Sequence, residues 1–140
     1  MAHKTADRLQ IDAALENLDV VLEFIGHYLD ETNCSVKYIS QIQICAEEIF
    51  VNIANYAYDG LPGPAEICVE TCDQPNSITI TFIDSGKPYD PLAKPDPDVT
   101  LSASDRKIGG LGIYIVKKIM DETEYKYENG RNIFRLTKLL

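Results

Sequence analysis

The stretch KIGGLGIYIVKKIM, residues 107 to 120, places three glycines at the entrance to an apolar helical segment. Glycine is entropically costly wherever the backbone must hold one conformation, so Gly109, Gly110 and Gly112 need a structural reason. The first N–H groups of a helix lack intrahelical partners and lie at the positive end of its dipole. Glycines at a helix start let a phosphate approach those groups closely. A tight turn or close helix packing would explain the same glycines without a ligand.

Two familiar glycine motifs are excluded here. The stretch has no Gly-x-x-x-x-Gly-Lys-[Ser/Thr] pattern, so it is not a P-loop. A dinucleotide fingerprint needs a small residue where this chain has Ile115, and it follows a strand. Here the glycines follow a polar segment, residues 85–107, that contains four prolines. A loop of this length is usually functional or disordered.

The composition predicts one globular domain over residues 1–140 and excludes several classes of function. A net charge of -9 argues against direct binding to nucleic acid, because no broad basic face is available. The four cysteines form no Cys-x-x-Cys pair, which favours reduced thiols over structural zinc. No apolar run reaches the roughly 18 residues of a membrane span, and the N-terminus does not look like a signal peptide. We therefore expect a cytoplasmic protein that does not enter a membrane.

Hydrophobic periodicity predicts the element order β-α-α-β-β-loop-α-β-β. Apolar residues recur at helical spacing in two early segments, and Ser35 can cap the second helix, which we expect to run to about Tyr58. Asn129-Gly130 is a strong hairpin signal near the C-terminus. We predict an α+β fold, a two-layer sandwich of one mixed sheet with helices covering one face.

Two polar side chains lie near the apolar stripe of the second predicted helix. Glu48 and Asn52 are four residues apart, so they point to nearly the same face. A carboxylate can act as a general base, and a carboxamide oxygen can bind Mg²⁺. A plain hydrogen bond on the helix surface is the alternative. Glu47 projects about 100° away from Glu48 and is not expected to share its role.

Asp84 ends a predicted strand and shares its face with Ile78, Ile80 and Phe82. Its carboxylate should therefore point to the helix-covered side, where it needs a donor. An ionised carboxylate only accepts hydrogen bonds, so it would suit the exocyclic amino group of adenine and reject a keto group. Gly86 would let the chain turn close by. An aspartate that merely opens a turn is the alternative.

The order of these features is more specific than any one of them. Glu-x-x-x-Asn on a helix, Asp-x-Gly after a strand, a long loop and Gly-x-Gly at a helix start resemble the ATP-binding domain of the GHKL superfamily. Within it, the chain most resembles the stand-alone bacterial anti-sigma-factor serine/threonine kinases. The resemblance covers nearly the whole chain through AEEIFVNIANYAY, DSGKPYDPL, GGLGIYIVKKIMDE and ENGRNIFRL. It implies a Bergerat-type ATP-binding fold with an ATP lid at about residues 89–108.

The resemblance also implies roles for individual residues. Glu48 would be the general base that activates the accepting hydroxyl, and Asn52 would bind Mg²⁺. Asp84 and Gly86 would form the adenine site. The other ATP-binding residues implied are Asn55, the lid cations Arg106 and Lys107, the phosphate-side residues Gly109, Gly110, Leu111 and Gly112, and Asn132. Asn132 stands where the superfamily often has threonine near adenine, so it would need a different hydrogen-bond arrangement.

The resemblance implies an activity and partners as well. Such kinases use ATP and Mg²⁺ to phosphorylate a Ser or Thr of a STAS-type antagonist protein, and they sequester a sigma factor, usually as a homodimer. A non-catalytic module that binds a partner in an ATP-dependent way is the rival hypothesis, and Glu48 favours the enzyme. A fragment of a histidine kinase is a weaker reading, because His27 has no dimerisation hairpin around it.

Overall fold

The computed structural model describes residues 3–93 and 111–140. Five strands and three α-helices follow one another in the predicted order. The strands are β1 (Lys4–Asp12), β2 (Pro64–Asp73), β3 (Asn76–Asp84), β4 (Glu122–Glu128) and β5 (Arg131–Leu139), and the helices are α1 (Leu18–Glu31), α2 (Val36–Asn52) and α3 (Leu111–Ile119). Short 3-10 turns cover Leu15–Asn17 and Pro91–Ala93.

The strands form one sheet in the order β1-β2-β3-β5-β4. The two-layer α+β arrangement is confirmed, but the sheet is not mixed, because all four strand pairings are antiparallel. The crossover through α3 returns β4 in the same direction as β3. The hairpin then folds β5 back between them, so the two strands that run in the same direction never touch.

Residue alternation in the strands decides which face of the sheet is covered. Ile67, Ile80 and Leu136 are fully buried, whereas their neighbours along each strand are less so. Successive side chains of a strand point to opposite faces, so the buried set lies on one side. The same core contains side chains from all three helices, including Ile25, Phe50, Val116 and others. The helices therefore cover one face, as predicted.

The second helix begins at a capping serine and is followed by a π-helical turn. The Ser35 side chain accepts a hydrogen bond from the Tyr38 backbone N–H at 3.2 Å, as an N-cap residue does. The α-helix ends at Asn52, and the chain continues as a π-helical turn over Ile53–Ala57. The helical run thus reaches nearly to Tyr58, but its last turn is wider than an α-helix.

Some predicted features fall on parts of the chain that are not described. Most of the lid predicted at about residues 89–108 lies outside the described residues, and only 89–93 can be examined. The third helix begins at Leu111, directly after the undescribed segment. Across residues 3–93 and 111–140, no helix has the length and apolar character needed to cross a bilayer.

Candidate functional site

A cleft opens where the end of α2 and its π-helical turn approach the sheet. Its empty space, which includes part of the open solvent at its mouth, amounts to about 500 Å³. Its apolar lining includes Ile49, Ile53, Phe82, Pro91 and Phe134. Its polar lining includes Asn52, Tyr56, Asp84, Tyr89, Tyr125 and Asn132. The cleft therefore combines an apolar floor with a few converging polar groups.

Asp84 and Asn132 are the buried polar residues of the described chain, and each is 6% exposed. They lie directly opposite each other where β3 pairs with β5, on the helix-covered face that the sequence predicts for Asp84. Asp84 Oδ1 accepts a hydrogen bond from the Gly86 N–H and another from Asn132 Nδ2, each at 2.9 Å. A buried carboxylate needs such donors, and these two hydrogen bonds hold the Asp84 side chain in position.

Glu48 and Asn52 contact each other beside this cleft. Asn52 Nδ2 donates to Glu48 Oε1 at 3.3 Å, and both residues are half-buried, whereas Glu47 is exposed. The contact uses the amide nitrogen of Asn52 and leaves its carbonyl oxygen for another partner. Such an oxygen is a ligand that Mg²⁺ prefers.

Gly112 brings the start of α3 against this pair. A Cβ atom at Gly112 would lie 2.1 Å from both Cδ and Oε1 of Glu48. The glycine therefore makes room for the Glu48 carboxylate. Close helix packing was one of the explanations that the sequence offered for these glycines, but Glu48 was not foreseen as the packing partner.

Gly86 also lies where a side chain would not fit, next to the π-helical turn. A Cβ atom there would lie 2.2 Å from the carbonyl oxygen of Ala57, in the π-helical turn. The Lys87 N–H donates to the same oxygen at 3.1 Å. The turn after β3 is thus fastened to the end of α2, which closes the cleft around Asp84.

The remaining predicted residues divide into two groups. Asn55 is exposed and does not line the cleft. Arg106, Lys107, Gly109 and Gly110 lie outside the described residues, and Leu111 is described only as the first residue of α3. Their roles remain predictions.

Sequence reasoning missed Tyr125 and Tyr89. The Tyr125 hydroxyl donates to Asn132 Oδ1 at 2.5 Å, and the Tyr89 N–H donates to the same oxygen at 3.1 Å. The hairpin signal at Asn129-Gly130 could have identified Tyr125, because it fixes the register of β4 and β5. In that register Tyr125 is the diagonal neighbour of Asn132 on the same face.

Two tyrosine hydroxyls near the cleft, those of Tyr125 and Tyr58, have a pKa raised above its ordinary value. Burial raises the pKa of Tyr125. Burial also raises the pKa of Tyr58, whose hydroxyl donates to the Pro64 carbonyl at 2.5 Å and accepts from the Ser85 N–H at 2.8 Å. Within the described ranges, no group of three or more His, Cys, Asp or Glu residues could hold a metal ion.

The chain is similar to known proteins over nearly its whole length. The family model described as "Histidine kinase-like ATPase domain" matches residues 11–138. The chain is 26% identical over 138 residues to the "Serine/threonine-protein kinase BtrW" of Bordetella bronchiseptica, covering 98% of this chain and 95% of the relative. It is 23% identical to the "Serine-protein kinase RsbW" of Listeria monocytogenes over 129 residues, 89% of this chain and 82% of that protein.

Two further similarities concern regulation and fold. The "Anti-sigma F factor" of Caldanaerobacter subterraneus subsp. tengcongensis is 22% identical over 141 residues, 100% of this chain and 97% of that protein. The crystal structure of the RsbU and RsbW domains of a Mycobacterium tuberculosis protein matches 96% of this chain, with a TM-score of 0.63 and 17% identity. This chain spans 32% of that longer one, and the match supports the fold. The match over residues 11–138 makes the chain a member of the histidine kinase-like ATPase domain family, in which its similarities run to anti-sigma-factor kinases.

Proposed function

We propose that the cleft binds ATP, with adenine placed against Asp84. Gly86 and Asn132 both donate to Oδ1 of this carboxylate. Oδ2 is then the acceptor that can receive the 6-amino group of adenine. Guanine carries a keto oxygen at that position, which would face an acceptor with no hydrogen between them. Such a mismatch at a buried polar site is strongly rejected.

Asn52 would hold Mg²⁺ at the phosphate end of the cleft. The support is its geometry, because its amide nitrogen is engaged with Glu48 and its carbonyl oxygen is left over. Mg²⁺ usually takes one or two protein oxygens and completes its shell with phosphate oxygens and water. When bound, the ion neutralises charge on the phosphates during transfer.

Glu48 would be the general base of phosphoryl transfer to a protein hydroxyl. The hydroxyl oxygen forms a bond to the γ-phosphorus, the bond between that phosphorus and the bridging oxygen of ADP breaks, and the hydroxyl proton passes to the Glu48 carboxylate. The observation that carries this proposal is the position of the carboxylate. Asn52 donates to it beside the cleft, and Gly112 leaves space for it at the start of α3.

A protein substrate and a regulatory role are also part of the proposal. We infer that the accepting hydroxyl belongs to a Ser or Thr of a STAS-type antagonist protein. We further infer that the chain, as a homodimer, sequesters a sigma factor. The support is that proteins named serine kinases and an anti-sigma factor align with nearly the whole chain.

The experiment that tests this function uses γ-labelled ATP and candidate antagonists from the same genome. Glu48→Gln should retain ADP binding, because the amide is nearly isosteric with the carboxylate. It should lose about 10²- to 10⁴-fold in transfer rate, because it cannot take the hydroxyl proton. Glu47→Gln is the matched control, since Glu47 is exposed on the neighbouring helical position.

Two outcomes would contradict the proposal. Transfer by Glu48→Gln at the parental rate would show that Glu48 is not the base. If the parent protein binds ADP but phosphorylates no antagonist, the chain is a non-catalytic, ATP-dependent binding module.

A further inference from the structure

Two backbone groups that each have a single hydrogen-bonding role identify which atom of the Asn132 amide is the oxygen. The Tyr89 N–H, which can only donate, contacts Oδ1 at 3.1 Å. The Lys87 carbonyl, which can only accept, contacts Nδ2 at 2.9 Å. The oxygen and nitrogen of an amide are often exchangeable in a structure, but here the two backbone groups allow one assignment.

The Tyr125 hydroxyl adds a second donor to the same amide oxygen, at 2.5 Å. With both donors on Oδ1, the amide plane is held from the side away from Asp84. Nδ2 consequently faces Asp84 Oδ1 at 2.9 Å, where the Gly86 N–H also donates. Both donors therefore reach the same oxygen of the carboxylate. From the described part of the chain, no donor reaches the other oxygen, Oδ2.

We propose that Tyr125 is a positioning residue for base selectivity, which acts through Asn132 to hold Asp84 with Oδ2 free for a 6-amino group. The inference rests on the proposed function in that the ligand is an adenine nucleotide. It extends that function because a residue on β4, Tyr125, would control which base the site accepts. The chain Tyr125–Asn132–Asp84 crosses three strands that are neighbours in the sheet, β4, β5 and β3.

Nucleotides with and without the 6-amino group can distinguish this role from a general contact between Tyr125 and the base. Calorimetry should compare ADP with two analogues, purine riboside diphosphate, which lacks the 6-amino group, and inosine diphosphate, which carries a 6-keto group. In Tyr125→Phe, affinity for ADP should fall by about 3- to 10-fold, as expected for one hydrogen bond. Affinity for purine riboside diphosphate should stay within about twofold of the parent, because that ligand does not use Oδ2.

Tyr127→Phe is the matched control. Tyr127 lies on the same strand and pairs directly with Asn132 in the register, but it is 47% exposed and does not line the cleft. Its removal should leave the affinities for all three nucleotides unchanged. Thermal melting of both variants checks that the fold is kept.

Each remaining outcome is informative. Equal losses for ADP and purine riboside diphosphate, or no loss for either, would overturn the role of Tyr125 while leaving the ATP site intact. A parent protein that binds ADP and inosine diphosphate equally would overturn both the inference and the assignment of Asp84. A parent that binds none of the three would refute the proposed function itself.

Discussion

Gly112 lets the backbone at the start of α3 pack closely against the Glu48 side chain. A Cβ atom at Gly112 would lie 2.1 Å from the Glu48 carboxylate, far inside van der Waals contact. The atoms that would clash are at the far end of a flexible side chain, so the carboxylate can swing away while the backbone stays in place. The glycine therefore matters for where the proposed base lies more than for stability.

Gly112→Ala should accordingly separate activity from folding. We expect phosphoryl transfer to fall by about 10- to 100-fold, because displacement of a catalytic group by about 1 Å has effects of that size. The melting temperature should change little. Transfer of labelled phosphate and thermal melting would be measured on the same samples.

Gly26→Ala serves as the control for this change. Its Cβ atom would meet another side-chain end, Gln43 Nε2, at 2.9 Å, between α1 and α2 and away from the cleft. Transfer should stay near the parental rate in this variant. A parental rate in Gly112→Ala as well would show that the position of Glu48 tolerates the added methyl group.

The π-helical turn that follows α2 is the element that joins the helix layer to the adenine end of the cleft. Such turns are rare and frequently occur at functional sites. Here the turn presents the Ala57 carbonyl to the Lys87 N–H at 3.1 Å and brings it close to Gly86. The segment after β3 is thereby held against the end of the helical run, and Asp84 and Asn52 line the same cleft.

Gly86→Ala should disrupt this junction. The added Cβ atom would lie 2.2 Å from the oxygen and 2.6 Å from the carbon of the Ala57 carbonyl, which are backbone atoms that cannot rotate away. We expect the free energy of unfolding in urea to fall by about 1–3 kcal/mol, as for an overpacked site. ADP affinity should fall as well.

Gly112→Ala is the natural comparison, because its clash involves only a side-chain end. Unfolding of Gly86→Ala at the parental urea midpoint would show that the turn can shift without cost. In that case the junction would not fix the position of Asp84.

The whole molecule is expected to lose stability in alkaline solution, in part through one buried thiol. Cys45 is fully buried in the core. Burial raises the pKa of its thiol to about 11 from an ordinary value near 9. The Lys138 charge lowers the pKa of this thiol and the Glu48 charge raises it, but burial has the largest effect. The folded protein therefore holds this proton more tightly than the unfolded chain.

The sign of the pH dependence follows from that difference. The contribution of Cys45 to stability is complete below about pH 9 and is lost as the pH rises towards 11. Between pH 8 and about pH 10.5, the parent should lose about 2 kcal/mol of unfolding free energy more than Cys45→Ala does. Urea unfolding at a series of pH values measures the two slopes.

Comparing slopes is necessary because other groups titrate in the same range. Burial also raises the pKa of Cys68 and of Tyr58. Both groups therefore lower the stability at alkaline pH in the parent and in every variant. Cys72→Ala, at a half-buried site near the end of β2, is the control and should follow the parent. Parallel slopes for the parent and Cys45→Ala would contradict the role of Cys45.

The sequence by itself determined the features that depend on near neighbours along the chain. Helical and alternating periodicities are local patterns, so the order of strands and helices could be predicted, as could the cap at Ser35 and the helix-facing position of Asp84. The spacing of Glu48 and Asn52 likewise predicted that they share a helix face, and they contact each other.

Only the tertiary structure decided which distant segments lie together. Which strand pairs with which depends on contacts between residues far apart in sequence, and local periodicity contains no information on them. For that reason the fully antiparallel order, the chain Tyr125–Asn132–Asp84 and the approach of Gly112 to Glu48 could not be predicted. Each depends on β5 lying between β3 and β4, or on α3 packing against α2, because folding brings those elements together to bury one shared core.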